Sequence, residues 1–247
     1  MALDLRNVGA GVPLAAQLLV LAVVVAGGVE GCTGALLPDR EPERARDRPK
    51  RGWLSPTVAI LAGVSFASFI CEGAAGDWSG DYLRNVVGAG PGLSALSYAA
   101  YTLTMVITRF AALRLHSRIP SRRLLPALAL LAALGMGVTL AVADPVVSVA
   151  GFALLGAGVA LLVPTAFSAA YPAGRGGSAI AIVAATGWVG YLLGPPLIGQ
   201  LSGLFGLSAA LLVIPVMLCV AGIAIRGSRA FDAADEFHRE AAASTVG

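Results

Sequence analysis

The sequence predicts an all-α polytopic membrane helical bundle with about seven transmembrane helices, and three observations carry that prediction. Seven apolar stretches recur along the chain, each near the roughly 20 residues that cross a bilayer as a helix. Charged residues are 13% and hydrophobic residues 57% of the sequence. Soluble domains carry about 25% charge, and one aqueous core would not absorb this much apolar surface, whereas lipid would. Finally, nearly all Lys and Arg fall in every second gap between the apolar stretches.

The expected spans lie near residues 8–28, 54–74, 91–113, 124–143, 145–168, 178–201 and 206–225. They alternate too weakly for the period-two pattern of an outer-membrane barrel, and a helix satisfies its own backbone in lipid. The 31 Gly and 14 Pro fit this setting, because small residues let membrane helices approach closely. Gly151 to Gly158 and Gly187 to Gly194 therefore read as packing faces. The first stretch has a competing reading as a secretory signal. It is longer than a usual signal core, nearly lacks a basic n-region and has no convincing cleavage site, which favours a true span.

Charge sets the expected orientation. Arg40, Arg44, Arg46, Arg48, Lys50 and Arg51 occupy the first long gap; Arg109, Arg114, Arg118, Arg122 and Arg123 surround the third. With Arg175, Arg226, Arg229 and Arg239 they make fifteen on one side, against Arg6 and Arg84 on the other. Positive residues stay cytoplasmic, so the expectation is a multi-pass protein of a bacterial-type inner membrane, N-terminus outside and C-terminus cytoplasmic. Four regions follow: a single helix at 1–28, a charged cytoplasmic linker at 29–53, a six-helix bundle at 54–226 and a tail at 227–247. The linker mixes both charges with three prolines between 37 and 52 and reads as solvated chain.

Several chemistries lack their residues. Cys32, Cys71 and Cys219 are far apart without C-x-x-C spacing, so neither zinc nor a disulfide framework is expected. The two histidines, His116 and His238, form no H-E-x-x-H, and no Walker A or Rossmann glycine motif occurs, so an enzyme is not expected and no cofactor is implied. The sole lysine, Lys50, lies in the linker, which removes a retinal Schiff base. Basic residues sit beside apolar spans rather than along one soluble face, so topology explains the charge and no nucleic-acid partner is expected. The lipid bilayer and a small-molecule solute are the expected partners.

Ionisable groups at membrane depth are expensive and thus functional candidates. Glu72 closes the expected second span, with Asp77, Trp78 and Asp81 following. Glu72 or Asp77 reads either as a proton carrier or substrate acceptor facing a cavity, or as a carboxylate at the outer interface, where Trp78 and Tyr82 form an aromatic belt. Glu72 is the deeper of the two. Arg109 reads as a substrate contact or as an interfacial arginine snorkelling to water. Tyr98 and Tyr101, three residues apart, offer hydroxyls to a cavity or pack with one satisfied hydrogen bond; Trp188 and Gln200 carry the same pair of readings.

From about Trp53 to Arg226 these features resemble the C-terminal six-helix half of a major facilitator superfamily transporter, closest to its fucose-permease-like bacterial branch. Glu72-Gly73-Ala74 with Asp77-Trp78-Ser79 is similar to that branch's E-G-A-x-x-D-W-S signature at the seventh helix. Gly187 to Gly199, containing Gly194-Pro195-Pro196, is similar to the eleventh-helix G-P-P-x-I-G pattern, in which Gly and Pro bend a gating helix. Arg109-Phe110 through Arg122-Arg123 resembles the loop between helices eight and nine, but Ala112, Leu113 and Pro120 replace its Gly, Asp and second Gly.

The resemblance makes the first span a sixth helix and the chain one half plus that helix. It implies ion-coupled movement of a small solute by alternating access, with Glu72 for proton coupling, Asp77, Trp78, Tyr98, Tyr101 and Arg109 at the solute, and Gly194, Pro195, Pro196 and Gly199 bending the gate. Substrate binds between two bundles, so a separately encoded first half or a second copy of the chain is the implied partner. The alternative is a non-transporting fragment or membrane scaffold.

Overall fold

The structure is a computed structural model that describes residues 55–173 and 177–235, together with Leu19, Val23 and Gly27. The chain divides into two compact units, Met1–Arg46 and Asp47–Gly247. In the first unit Leu19, Val23 and Gly27 are helical; the rest of the expected first span and the 29–53 linker lie outside the described residues.

The second unit is helical throughout its described core. Its helices are α1 (Pro56–Asp81), α2 (Pro91–Phe110), α3 (Ala112–Arg118), α4 (Ser121–Val142), α5 (Pro145–Val159), α6 (Leu162–Ala173), α7 (Ser178–Phe205), α8 (Leu207–Leu211) and α9 (Val213–Gly227). Among the described residues five helices are long and apolar enough to cross a membrane, and six when the bent pair α2 and α3 counts as one span. The expected all-α membrane bundle is what the chain forms.

Local signals explain the boundaries. The Ser55 hydroxyl accepts from the Val58 N–H at 3.2 Å and Pro56 opens α1, a favoured N-terminal pairing. Asp144 caps α5 likewise, accepting from Val146 and Val147 ahead of Pro145. The second span is longer than expected. A π-helical turn, Tyr82–Val86, extends α1 to a 31-residue span, so Glu72 sits near its middle rather than at its end. The carboxylates that suggest an end to a hydropathy reading do not interrupt the helix: Glu72 and Asp81 are half-buried and Asp77 is exposed within it.

Packing places α1 at the centre, against α7 above all and also α2, α6 and α9; α4 and α5 pair, and α2 lies along α5. The glycine faces work as expected. A Cβ on Gly190 would stand 2.6 Å from the Phe66 carbonyl oxygen of α1, and one on Gly156 would collide with the Tyr101 carbonyl of α2. The backbones therefore meet directly at both points.

The two ends of the bundle differ in charge. Arg109, Arg114, Arg118, Arg122, Arg123, Arg226 and Arg229 gather where α2, α3 and α9 end and α4 begins, and Arg84 lies at the opposite end. At the basic end the segment after α9 folds back. Phe231 is fully buried, and the Asp235 carboxylate accepts from the Ser121 N–H at 2.9 Å. It caps α4, whose N-cap residue Pro120 has no side chain able to do so. Buried His116 joins three elements there, its Nδ1 3.3 Å from Ser121 Oγ and its Nε2 3.2 Å from Thr165 Oγ1.

Candidate functional site

One face of α1 organises the candidate site. Phe69, Glu72, Gly73 and Gly76 recur at i, i+3, i+4 and i+7, so they stack along one stripe of the helix. At about 1.5 Å per residue Glu72 lies roughly 24 Å along α1, near the middle of its length. It is partly buried.

Aromatic rings flank that stripe on both sides. From α7, Trp188 and Tyr191 meet Phe69: the ring centroids lie 5.7 Å apart for Phe69 and Trp188, 6.4 Å for Phe69 and Tyr191, and 5.7 Å for Trp188 and Tyr191. From α2, Tyr98 and Tyr101 stack at 5.8 Å with an interplanar angle of 14°. The Tyr98 ring lies over Gly76 of α1, 3.7 Å from where a Cβ there would stand. The Tyr98 phenol lies within electrostatic reach of Tyr191, Glu72 and Asp77, and the Tyr101 phenol within reach of both Glu72 and Arg109.

The face is open yet lined by fixed groups. Trp188 is 57% exposed, Tyr98 42% and Tyr191 38%, while Tyr101 is 1% exposed. The buried Tyr101 hydroxyl has no hydrogen-bond partner among the described residues, a costly state that a ligand or water would relieve. Asp77 is exposed on the same helix.

Of the other expected residues, Arg109 is within electrostatic reach of Tyr101, and Trp78, Gly194, Pro195 and Gly199 lie along the α1–α7 contact. Trp78 is half-buried with its ring against α7, 3.3 Å from where a Gly199 Cβ would stand. Gly199 thus makes room for Trp78. Gly194 approaches the Ile70 backbone, and a Cβ on Gly73 would meet the Tyr191 carbonyl oxygen at 3.0 Å and the Pro195 ring at 3.3 Å. Pro195 and Pro196 lie inside α7, which is continuous from Ser178 to Phe205. Neither supplies an N–H, so the Tyr191 and Leu192 carbonyls lose their helical donors.

Arg109 makes a different contact, donating from Nε to the Ala160 carbonyl at 3.3 Å. Ala160 is where α5 gives way to α6, and the residue four positions on is Pro164. Proline has no N–H for that carbonyl, and the guanidinium supplies it. Arg109 is therefore a clasp between α2 and the break in the α5–α6 span.

Phe69 and Tyr191 were not singled out from sequence. The i, i+3 spacing of Trp188 and Tyr191 beside Gly187 and Gly190 was the available signal. Two shallow cavities, of about 210 and 240 Å³, lie elsewhere. The first is an apolar groove between Leu131, Leu134 and Val138 of α4 and Val147 and Leu154 of α5; neither is lined by a carboxylate.

Comparison with known proteins agrees with this architecture. Residues 10–171, more than half of the chain, match the Major Facilitator Superfamily. The chain is 36% identical over 166 residues to the membrane protein MosC of Rhizobium meliloti, covering 66% of this chain and 41% of that protein. It is 35% identical over 198 residues to an uncharacterized transporter of Sinorhizobium fredii, 77% of this chain and 51% of the relative. An uncharacterized MFS-type transporter of Yersinia pestis is 28% identical over 181 residues, 71% of this chain and 45% of that one. The chain spans about half the length of these curated relatives. The membrane-length helices, their glycine-mediated packing and this match lead to one assignment: the chain is a multi-pass membrane protein that belongs to the Major Facilitator Superfamily.

Proposed function

We propose that the chain supplies one wall of a membrane transporter that moves a small solute by ion-coupled alternating access. The observation that carries this reading is Glu72, a carboxylate near the middle of a 31-residue span and flanked by aromatic rings on an open face. A carboxyl group at that depth is costly unless it serves a ligand or a proton. Glu72 is the proton carrier in this proposal, Asp77, Tyr98 and Tyr101 face the solute, and the Pro195–Pro196 segment carries helix bending at the gate.

Alternating access rocks two bundles around a shared site. The opposing wall then comes from a first-half chain encoded separately or from a second copy. The seven arginines at one end of the bundle face the cytoplasm in this arrangement, with the C-terminus on that side. A second reading, a membrane scaffold without transport, rests on Ala112, Leu113 and Pro120 at the departures from the helix eight to nine loop pattern.

The test is uptake or efflux in reconstituted vesicles across a panel of solutes and ion gradients, with the first half supplied. Gradient-driven flux that Glu72→Gln abolishes supports the proposal. Absence of flux for wild type and variant alike, with the first half present, refutes it.

A further inference from the structure

We infer that the groove between α4 and α9, at the basic end of the bundle, binds an anionic phospholipid, with its phosphate at Arg123 and Arg226 and its acyl chains along the exposed apolar residues beyond them. The inference goes beyond the transporter reading and does not rest on it, since it concerns a lipid-facing side of the bundle and not the face around Glu72.

Small residues define the seam between the two helices. A Cβ on Gly222 of α9 would stand 3.6 Å from the Ala129 Cβ and 3.8 Å from the Pro126 Cα of α4. One helical turn nearer the basic end stand Arg122, four residues before Pro126, and Arg226, four residues after Gly222. The two ends meet there: the Arg122 guanidinium donates from Nη2 to the Arg226 carbonyl at 3.2 Å. Its buried Nε has no acceptor among the described residues.

An exposed stripe flanks the seam on each helix. On α4, Arg123, Ala127 and Leu130 recur at i, i+4 and i+7, and all three are exposed. On α9, the exposed residues Arg226, Ile223 and Cys219 recur at i, i−3 and i−7. At 3.6 residues per turn each stripe lies roughly a quarter turn from the seam. Because α4 leaves the basic end where α9 arrives at it, the helices are antiparallel and both stripes turn to the same side. Each stripe starts with an arginine and continues into the membrane with uncharged residues, Leu130 being 52% and Ile223 72% exposed. A phospholipid has the same order, phosphate first and hydrocarbon after it, and basic pockets between membrane helices hold such headgroups.

The charge at this end calls for an anion. Among the described residues it carries seven arginines and two carboxylates, Asp232 and Asp235, and Asp235 is engaged at the Ser121 N–H. Membrane orientation accounts for positive charge at one end but not for its placement at the head of a single groove. Arg114 and Arg118 of α3 are equally exposed at that end and serve orientation as well. They provide the control.

The test titrates the full chain, delipidated in a non-ionic detergent, with phosphatidylglycerol or with phosphatidylcholine of the same acyl chains, and counts bound lipid by native mass spectrometry. Phosphatidylglycerol is expected to bind saturably and phosphatidylcholine about tenfold more weakly or worse. The double variant Arg123→Gln with Arg226→Gln, both at exposed positions that do not threaten folding, weakens phosphatidylglycerol about tenfold or more. Arg114→Gln with Arg118→Gln removes the same charge from the same end and stays within about threefold. Equal losses in the two double variants would assign the effect to the general field of the basic end and overturn the inference. Equal binding of the two lipids would overturn it as well. So would displacement of the lipid by sn-glycerol 3-phosphate at comparable concentration, since the groove would then add nothing to a free anion's affinity.

Discussion

Replacing Gly190 by Ala tests the contact that positions the aromatic wall. The added Cβ would lie 2.6 Å from the Phe66 carbonyl oxygen, 3.0 Å from Phe66 Cδ2 and 3.2 Å from its Cα. Ordinary carbon–oxygen contacts in helix packing begin near 3.3 Å, so α1 and α7 must part by about 0.7 Å. Two of the three atoms are backbone, and side-chain rotation cannot relieve them. Overpacking of this kind costs about 1–3 kcal/mol. The matched control is Gly203→Ala in the same helix, where no atom lies within 4 Å of the new Cβ; it is neutral or slightly stabilising, because Ala is the better helix former. The assay is reversible unfolding in mixed lipid–detergent micelles, read by far-ultraviolet circular dichroism. Equal stability of Gly190→Ala, Gly203→Ala and wild type would refute the direct backbone contact and, with it, the placement of Trp188 and Tyr191 against Phe69.

Further expectations follow from single contacts. Tyr82→Phe removes the bond from the Tyr82 hydroxyl to the Thr139 carbonyl, 3.1 Å away. That carbonyl keeps the Ala143 N–H at 3.0 Å, so the loss in the same unfolding assay is small, about 0.6 kcal/mol and under about 2. Asp235→Ala uncaps α4 and costs about 1 kcal/mol, accompanied by faster proteolysis of the segment after α9. Arg109→Met leaves the Ala160 carbonyl without its donor and destabilises by about 1–3 kcal/mol, whereas Arg109→Lys restores part of the loss; equal stability of all three proteins would remove the clasp.

The spans were legible because bilayer thickness imposes a length and lipid imposes composition, and neither depends on tertiary detail. The glycine faces were legible for the same reason: Gly187, Gly190 and Gly194 recur at helical spacing. What escaped depends on neighbours from other helices. Hydropathy ends the second span at Glu72, since it cannot know that the helix runs on through the carboxylates to Val86. Phe69 and Tyr191 are more than a hundred residues apart in sequence, and only the α1–α7 packing joins them. The partner of Arg109 was half visible. Pro164 announces an orphaned carbonyl at Ala160, but which donor answers it is set by the crossing of α2 with α5 and α6. The α2–α3 bend of 56° at Ala111 carries no proline or glycine in sequence to announce it.

The central claim is that the α1, α2 and α7 face lines an aqueous solute path rather than lipid, and site-directed labelling tests it most directly. In a background with Cys32, Cys71 and Cys219 replaced by Ser, single cysteines at Tyr98 and Trp188 are compared with Leu134 and Val220, apolar positions that are also exposed on the bundle. Reaction with a charged, water-soluble maleimide in reconstituted vesicles is expected at Tyr98→Cys and Trp188→Cys and not at Leu134→Cys or Val220→Cys. Silence at Tyr98 and Trp188 equal to that of the two apolar positions would contradict the account.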